Sequence, residues 1–204
     1  MLAVVGPNGA GKSTLFNLIV GTIRPSHGSV HVYGHDPDRH TCIAYVPQRN
    51  QYDLSFPVTA WDVVMMGRVG NIGLFRQPGK RDREIVRECL ERVGADKLAS
   101  KQIGDLSGGQ QQRIFIARAL AQEAELLMLD EPFSGLDGPS GAALMELIDG
   151  LSAEGVSVLT ATHDINLAAQ RFGRIMLLNG RIVALGPPET VLDSNNLLLA
   201  YGGH

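Results

Sequence analysis

Short apolar runs recur along the chain, with longer stretches of mixed apolar and polar positions between them. Because the runs are brief and rich in aliphatic side chains, they favour strands buried in a sheet over helices. They comprise residues 2–5, 43–46, 126–129, 156–160 and 175–178. Strands that alternate with helices predict an α/β fold, in which a mainly parallel sheet lies between layers of helices.

The stretches between the runs predict the helices. Residues 80–93 place apolar side chains at i, i+3/i+4 and i+7 and charged side chains elsewhere, which is typical of an amphipathic helix. Further helices are predicted at residues 15–20, 59–68, 111–121 and 165–171. Alternating side chains predict another strand at residues 29–33, and residues 181–185 are expected to pair beside the last apolar run.

One long segment, residues 48–107, interrupts the alternation with helices and loops alone. We therefore expect a single domain over residues 1–204, built from a core of residues 1–47 and 108–204 with an inserted helical subdomain at 48–107. The sequence contains no internal repeat that would indicate a different architecture.

A phosphate-binding loop is predicted where the first strand turns into the first helix. It consists of Gly6, Pro7, Asn8, Gly9, Ala10, Gly11, Lys12, Ser13 and Thr14, and it fits the pattern G-x-x-x-x-G-K-[ST]. The glycines allow backbone turns through which consecutive N–H groups converge on phosphate oxygens. Lys12 supplies a mobile charge for the outer phosphates, and Ser13 offers a hydroxyl to Mg²⁺.

Polar residues follow several of the predicted strands. Asp130 ends the run at 126–129, where a carboxylate can bind Mg²⁺ beside the phosphate loop, and Glu131 comes next as a general base or water orienter. Gln48 can touch Mg²⁺ or the attacking water, and His163 can reach the γ-phosphate. These side chains are expected to converge because strand ends of an open α/β sheet line one crevice.

A second anion-binding device is predicted at the start of the helix that follows residue 106. Ser107, Gly108, Gly109 and Gln110 place small residues at a helix N-terminus, which favours anions. One nucleotide does not easily need two such devices. We therefore expect the second one to serve the nucleotide of another copy, so that ATP joins two copies head to tail.

Charge and composition exclude some partners. Lys and Arg number 18 against 21 acidic residues, a net charge of -3, so the chain lacks the basic character of a nucleic-acid binder. No apolar stretch approaches the ~20 residues that span a bilayer, and any membrane role is expected to use a partner. Cys42 and Cys89 have no C-x-x-C neighbour, which is typical of reduced thiols in a cytosolic chain.

Four histidines crowd one segment, at His27, His31, His35 and His40. Pro25 and the nearby glycines favour turns over the helix that would align the imidazoles. We therefore expect solvated surface histidines and no metal site at this segment.

Taken together and in this order, these motifs resemble the nucleotide-binding subunit of an ATP-binding cassette (ABC) transporter. The resemblance covers essentially the whole chain and rests on the phosphate loop, Gln48, residues 106–110, residues 130–131, the Ser-Gly-Leu-Asp stretch that ends at Asp137, and His163. It implies a homodimer that sandwiches two ATP, with Ser107 and Gly109 reaching the γ-phosphate across the interface and Asp137 linking the two sites.

The same resemblance implies the cofactors and the membrane partner. Mg²⁺ would be held by Ser13, Gln48 and Asp130, and catalysis would use Glu131, His163 and Gln48 on bound ATP. The inserted subdomain would dock on an integral membrane permease near Gln48, which places the subunit peripherally on the cytoplasmic face of the cell membrane.

A finer resemblance lies in residues 46–49 and 55–68, which are similar to the ATPases of manganese, zinc and iron importers that work with a metal-binding protein outside the membrane. An importer of chelated iron or cobalamin-type compounds is the nearest competing interpretation, since its ATPase shares every catalytic motif. A soluble ABC protein without a transport role and an inactive binding fragment are also compatible with these motifs.

The chain departs from this family at its start. Only residues 1–5 precede the phosphate loop, so the N-terminal strands of the family, and the aromatic residue that stacks on adenine, are expected to be missing from this sequence.

Overall fold

The computed structural model describes residues 1–35, 43–48, 56–73 and 76–202. The chain divides into two compact units, of which the first comprises residues 1–40, 128–132 and 157–204 and the second residues 41–127 and 133–156. Strand β3 (Leu126–Asp130) begins in the second unit and ends in the first. The division into a core and an inserted subdomain at 48–107 stays a prediction.

The first unit is built around a sheet with the strand order β3-β4-β1-β5-β6. The strands besides β3 are β1 (Leu2–Val5), β4 (Ser157–Thr162), β5 (Ile175–Leu178) and β6 (Ile182–Gly186). β1 pairs in parallel with both β4 and β5, whereas β6 is antiparallel to β5. Because Val5 aligns with Thr162 and Leu177, the residues that follow β1, β4 and β5 meet at one edge of the sheet.

The described residues of the first unit include four helices. They are α1 (Lys12–Val20), α7 (Ile165–Arg171), α8 (Pro188–Val191) and α9 (Ser194–Tyr201). Phe16 of α1 is fully buried, as are Val4 and Val5 of β1. Glycines in the left-handed region flank α1, because Gly11 (φ 96°) precedes it and Gly21 (φ 82°) ends it.

The second unit is mainly helical, with β2 (Ile43–Val46) beside β3. The α-helices among its described residues are α2 (Ala60–Met66), α3 (Val69–Ile72), α4 (Lys80–Arg92), α5 (Gly108–Leu120) and α6 (Gly138–Ala153). Helices α2, α4 and α5 pack against one another and bury Val64, Val86 and Ile116 completely. The amphipathic pattern at residues 80–93 is thus confirmed, with its apolar face turned into this core.

The alternation of strands and helices that the sequence predicts is confirmed, but the strand expected at residues 29–33 is wrong. Among the described residues, this segment pairs only through one isolated bridge between Val32 and His35. Most of its side chains are exposed. An alternating pattern alone does not make a strand, because a strand needs a partner and a face to bury.

Helix α6 has no counterpart in the sequence-based expectations. Three of its residues are glycines, at 138, 141 and 150, which lower intrinsic helix propensity. Burial of Leu144, Ile148 and Leu151 along one face overrides that preference. Although α6 extends over 16 residues, no helix in the described ranges combines the length and the apolar composition needed to cross a membrane.

A buried arginine holds three segments of the second unit together. Arg68 is 4% exposed, and its guanidinium donates to Asp82 Oδ1 at 3.2 Å, to the Ala121 carbonyl at 2.8 Å and to Glu123 Oε2 at 2.6 Å. Asp82 also accepts from the backbone N–H of Gly79, so the same carboxylate caps the start of α4. The side chain therefore joins the end of α2 to the start of α4 and the end of α5.

Replacing Arg68 by alanine is expected to lower the free energy of unfolding by about 2–3 kcal/mol, since several charge-assisted hydrogen bonds and buried contacts are lost together. Chemical denaturation would measure this. Arg92→Ala is the matched control, because Arg92 pairs with Glu154 at an exposed site and such pairs contribute about 0–1 kcal/mol. Equal losses for the two variants would contradict this role of Arg68.

Candidate functional site

The phosphate loop lies between β1 and α1, and its glycines are required by its backbone. Gly9 (φ 79°) and Gly11 (φ 96°) adopt left-handed conformations that disfavour a side chain. Gly6 is constrained differently, because a Cβ atom there would lie 2.1 Å from the Leu178 carbonyl oxygen. The loop thus takes backbone turns that a Cβ atom would disfavour or block at these three positions, as the motif predicts.

Lys12 lies inside this loop. Its Nζ donates to the carbonyl oxygens of Gly6 at 2.7 Å and Pro7 at 3.1 Å, and the residue is only 8% exposed. Burial lowers the pKa of Lys12, although the charges of Glu131 and Asp130 act in the opposite direction. The ammonium is therefore tethered to neutral carbonyls, which it can exchange for the oxygens of a phosphate.

Ser13 and Asp130 form the next pair of the site. The Ser13 hydroxyl donates to Asp130 Oδ2 at 3.1 Å, and Asp130 is 4% exposed. A hydroxyl and a carboxylate side by side are the oxygen donors that Mg²⁺ prefers, so this pair fits the predicted ion. The third predicted ligand, Gln48, follows β2 in the second unit and is half-buried.

Glu131 and His163 are hydrogen-bonded to each other. His163 Nδ1 donates to Glu131 Oε2 at 2.8 Å, and the imidazole is 62% exposed whereas the carboxylate side chain is 12% exposed. Glu131 also has φ 50°, a conformation that costs a non-glycine residue about 1–3 kcal/mol. Its N–H donates to the Ala161 carbonyl at 3.0 Å, which fixes the strained turn.

The second predicted anion-binding device is a capped helix start in the second unit. The Ser107 hydroxyl accepts from the Gln110 N–H at 3.4 Å, and Gln110 Oε1 accepts from the Ser107 N–H at 3.0 Å. Gly108 and Gly109 form the first turn of α5, which therefore begins three residues earlier than predicted. With no side chains on these glycines, the first turn of α5 presents bare backbone N–H groups.

Asp137 and the start of α5 have one neighbour in common, Ser140. The Asp137 carboxylate accepts from the Ser140 N–H at 2.7 Å and caps α6, and the hydrogen bonds with Ser140 lower the pKa of Asp137. A Cβ atom on Gly109 would lie 3.0 Å from Ser140 Cβ. Ser140 thus contacts both the start of α5 and the start of α6, the two segments for which the resemblance implies a role between copies.

Two features of the site were not predicted from the sequence. The turn between β5 and β6 contacts the phosphate loop, because the Gly180 N–H donates to the Ala10 carbonyl at 2.9 Å. Tyr201 at the end of α9 has a raised pKa, owing first to burial and then to the charge of Glu131. The Asn-Gly dipeptide at 179–180 could have indicated the turn, but nothing local indicates its contact with the loop.

Some predictions lie outside the described residues. They concern Cys42, His40 of the histidine segment, and residues 49 and 55 of the stretches with the finer resemblance. Within the described ranges, no three His, Cys, Asp or Glu side chains are arranged to hold a metal ion.

Comparison with known proteins gives concordant results. The family model described as ABC transporter matches residues 1–134. A manganese transport system ATP-binding protein of Bacillus subtilis is 46% identical over 204 residues, covering 100% of this chain and 82% of its own length. A chelated iron transport system membrane protein of Yersinia pestis is 46% identical over 205 residues, covering 98% of this chain and 69% of its own length.

The fold matches a solved structure over nearly its full length. A metal-chelate type ABC transporter in an inward-facing conformation superposes with a TM-score of 0.89 and 33% identity. The match covers 99% of this chain and 77% of that one.

Proposed function

Since the chain belongs to the ABC transporter family, we propose that it is the ATP-hydrolysing subunit that powers import of a divalent metal ion, namely manganese, zinc or iron. The observation that carries the enzymatic part is the clustering of Lys12, Ser13, Asp130, Glu131 and His163 at the ends of β1, β3 and β4. Similarity to a manganese transport protein along the whole chain supports a divalent metal ion as the transported species.

Binding of ATP would begin at the phosphate loop. The backbone N–H groups around Gly9 and Gly11 cradle phosphate oxygens, and Lys12 moves from the Gly6 and Pro7 carbonyls to the β- and γ-phosphates. Ser13, Asp130 and Gln48 would hold Mg²⁺. When bound, the ion neutralises charge that develops on the phosphates.

Hydrolysis would use Glu131 and His163 together. The Glu131 carboxylate takes a proton from the attacking water or orients that water. Because His163 uses Nδ1 to bind Glu131, its Nε2 stays free on a largely exposed ring. Nε2 would bind a γ-phosphate oxygen as a hydrogen-bond donor, which requires both ring nitrogens to carry a proton. The hydrogen bond between them holds both groups in one arrangement.

Two copies would act as a head-to-tail homodimer with ATP sandwiched between them. Ser107, the bare amides of Gly108 and Gly109, and Gln110 would face the γ-phosphate bound by the partner subunit. Asp137, ionised and fixed at the start of α6, would connect the two sites. The capped start of α5 supports this, because it offers donors that the chain's own phosphate loop does not require.

The second unit offers a groove for the membrane permease. It measures about 260 Å³, and Met65, Met66, Val69 and Ile72 form its apolar wall, with Asp62 and Arg76 at its polar positions. Met66 is 47% exposed and Val69 50% exposed. We assign this groove as the docking site for an amphipathic helix of the permease. Docking there would place the subunit peripherally on the cytoplasmic face of the membrane. Through the permease, the subunit would be coupled to an extracytoplasmic metal-binding protein.

A chelated-iron importer is the second candidate. It is favoured by the similarity to the chelated iron transport protein and by the structural match to a metal-chelate type transporter. Both candidates require the same ATPase, and they differ only in what crosses the membrane.

A charge placed in the groove is expected to uncouple transport from the ATPase. Val69→Glu should lower ATP-driven uptake by about tenfold or more in vesicles that contain the permease, because burying an unpaired carboxylate against the apolar face of the permease helix is costly. Hydrolysis by the isolated subunit should stay within about twofold of wild type. Ile182→Glu is the control, since Ile182 is 54% exposed on β6 and outside the groove. Normal uptake by Val69→Glu would exclude the groove as the docking surface.

A further inference from the structure

The turn between β5 and β6 lies between the phosphate loop and the last helix of the first unit. On one side it contacts the loop twice, through the Leu178 carbonyl packed against Gly6 and through the Gly180 N–H bonded to the Ala10 carbonyl at 2.9 Å. On the other side, Asn179 Nδ2 donates to the Ala200 carbonyl of α9 at 3.1 Å. A continuous series of contacts therefore connects α9 with the loop.

We propose that Asn179 is a positioning residue that couples α9 to the phosphate loop, so that nucleotide occupancy and the order of the C-terminal end of α9 are thermodynamically linked. The inference concerns nucleotide binding itself and does not depend on the transported species. Neither Asn179 nor α9 carries any of the motif residues of the site.

Exposure differs sharply between neighbouring residues at the end of α9. Ala200 is 1% exposed, whereas Leu198 and Leu199 are 68% and 59% exposed. One side of the last turn is therefore buried and the other is exposed. The Tyr201 hydroxyl is buried without a hydrogen-bond partner among the described residues, and its neighbourhood includes the charge of Glu131.

The coupling must act in both directions. A nucleotide that orders the phosphate loop also orders the Asn-Gly connection between β5 and β6, which contacts the loop. Asn179 then holds the Ala200 carbonyl more firmly, and the C-terminal end of α9 opens less often. Conversely, loss of the Asn179 contact makes the loop less ordered before binding. Part of the nucleotide's binding free energy is then used to order the loop, and the affinity falls.

Hydrogen exchange of the wild-type subunit with and without Mg-ADP tests the linkage directly. We expect slower amide exchange at residues 6–14 and also at residues 197–202. Protection at the loop without protection at α9 would overturn the inference while leaving nucleotide binding intact. Absence of protection at both places would contradict the inference and the proposed ATPase alike.

Asn179→Ala tests the residue, with Asn196→Ala as the matched control. Asn196 Nδ2 also donates to a backbone carbonyl, that of Thr190 at 3.3 Å, but it lies at the other end of α9. Asn179→Ala should abolish the ADP-dependent protection of residues 197–202 and raise the KM for ATP about threefold, while kcat stays within about twofold. The control should behave as wild type.

A merely structural role of Asn179 would give a different result. It would lower Tm and speed exchange throughout the first unit without removing the response of α9 to ADP. Retained protection of α9 in Asn179→Ala, or the same loss in Asn196→Ala, would overturn the assignment.

Discussion

Replacing Glu131 by glutamine lowers the kcat of ATP hydrolysis by about 10²–10⁴-fold, the range expected when a general base is removed. Glutamine preserves the size of the side chain and retains a carbonyl oxygen for the His163 contact. ATP binding should therefore persist, and the variant should accumulate as an ATP-bound dimer. Steady-state phosphate release and size-exclusion chromatography with and without Mg-ATP measure the two effects.

The control for this variant is Glu154→Gln, which changes an exposed carboxylate paired with Arg92 and should leave turnover unchanged. Hydrolysis by Glu131→Gln at the wild-type rate would remove Glu131 from the mechanism. A loss of turnover without an ATP-dependent dimer would agree with Glu131 as the general base but contradict the dimer with ATP sandwiched between two copies.

Replacing Lys12 by methionine weakens ATP binding by about 30-fold or more and abolishes turnover. Methionine keeps the aliphatic stem packed at the start of α1 but removes the ammonium that would contact the phosphates. Loss of a desolvated charge partner costs about 2–5 kcal/mol, which corresponds to at least a roughly 30-fold change in affinity. Isothermal titration calorimetry with Mg-ATP measures the effect.

The fold should survive this change, because burial disfavours the charged form of Lys12 and lowers its pKa. Removing the charge therefore offsets the loss of the hydrogen bonds to the Gly6 and Pro7 carbonyls. Lys80→Met is the control, because Lys80 is exposed on α4 and forms a surface pair with Glu84. Unchanged affinity in Lys12→Met would mean that the loop does not bind phosphates through this side chain.

Much of the fold follows from local pattern. The sequence predicts β5 and α7 at their observed bounds, because apolar runs and helical spacing there coincide with what is buried. It also predicts that Lys12, Ser13 and Asp130 lie together, since Lys12 and Ser13 follow the loop after β1 and Asp130 ends β3. Their roles as ligands of ATP and Mg²⁺ stay predictions.

Other features depend on tertiary contacts that no local pattern contains. Helix α6 forms despite its glycines because Leu144, Ile148 and Leu151 are buried. The strained φ of Glu131 is fixed by the carbonyl of Ala161, a residue of β4 that is distant in the sequence. The contact between Asn179 and Ala200 likewise exists only after β5, β6 and α9 have packed.

ATP-driven uptake by the subunit, assembled with its permease and binding protein in vesicles, is the most direct test of the proposed function. Mn²⁺, Zn²⁺, Fe²⁺ and a ferric chelate would be offered in parallel, with Glu131→Gln as the inactive control. We predict uptake of a free divalent ion that the variant abolishes. Uptake of the chelate alone, or no uptake while ATP hydrolysis continues, would contradict the proposed import of free metal ions.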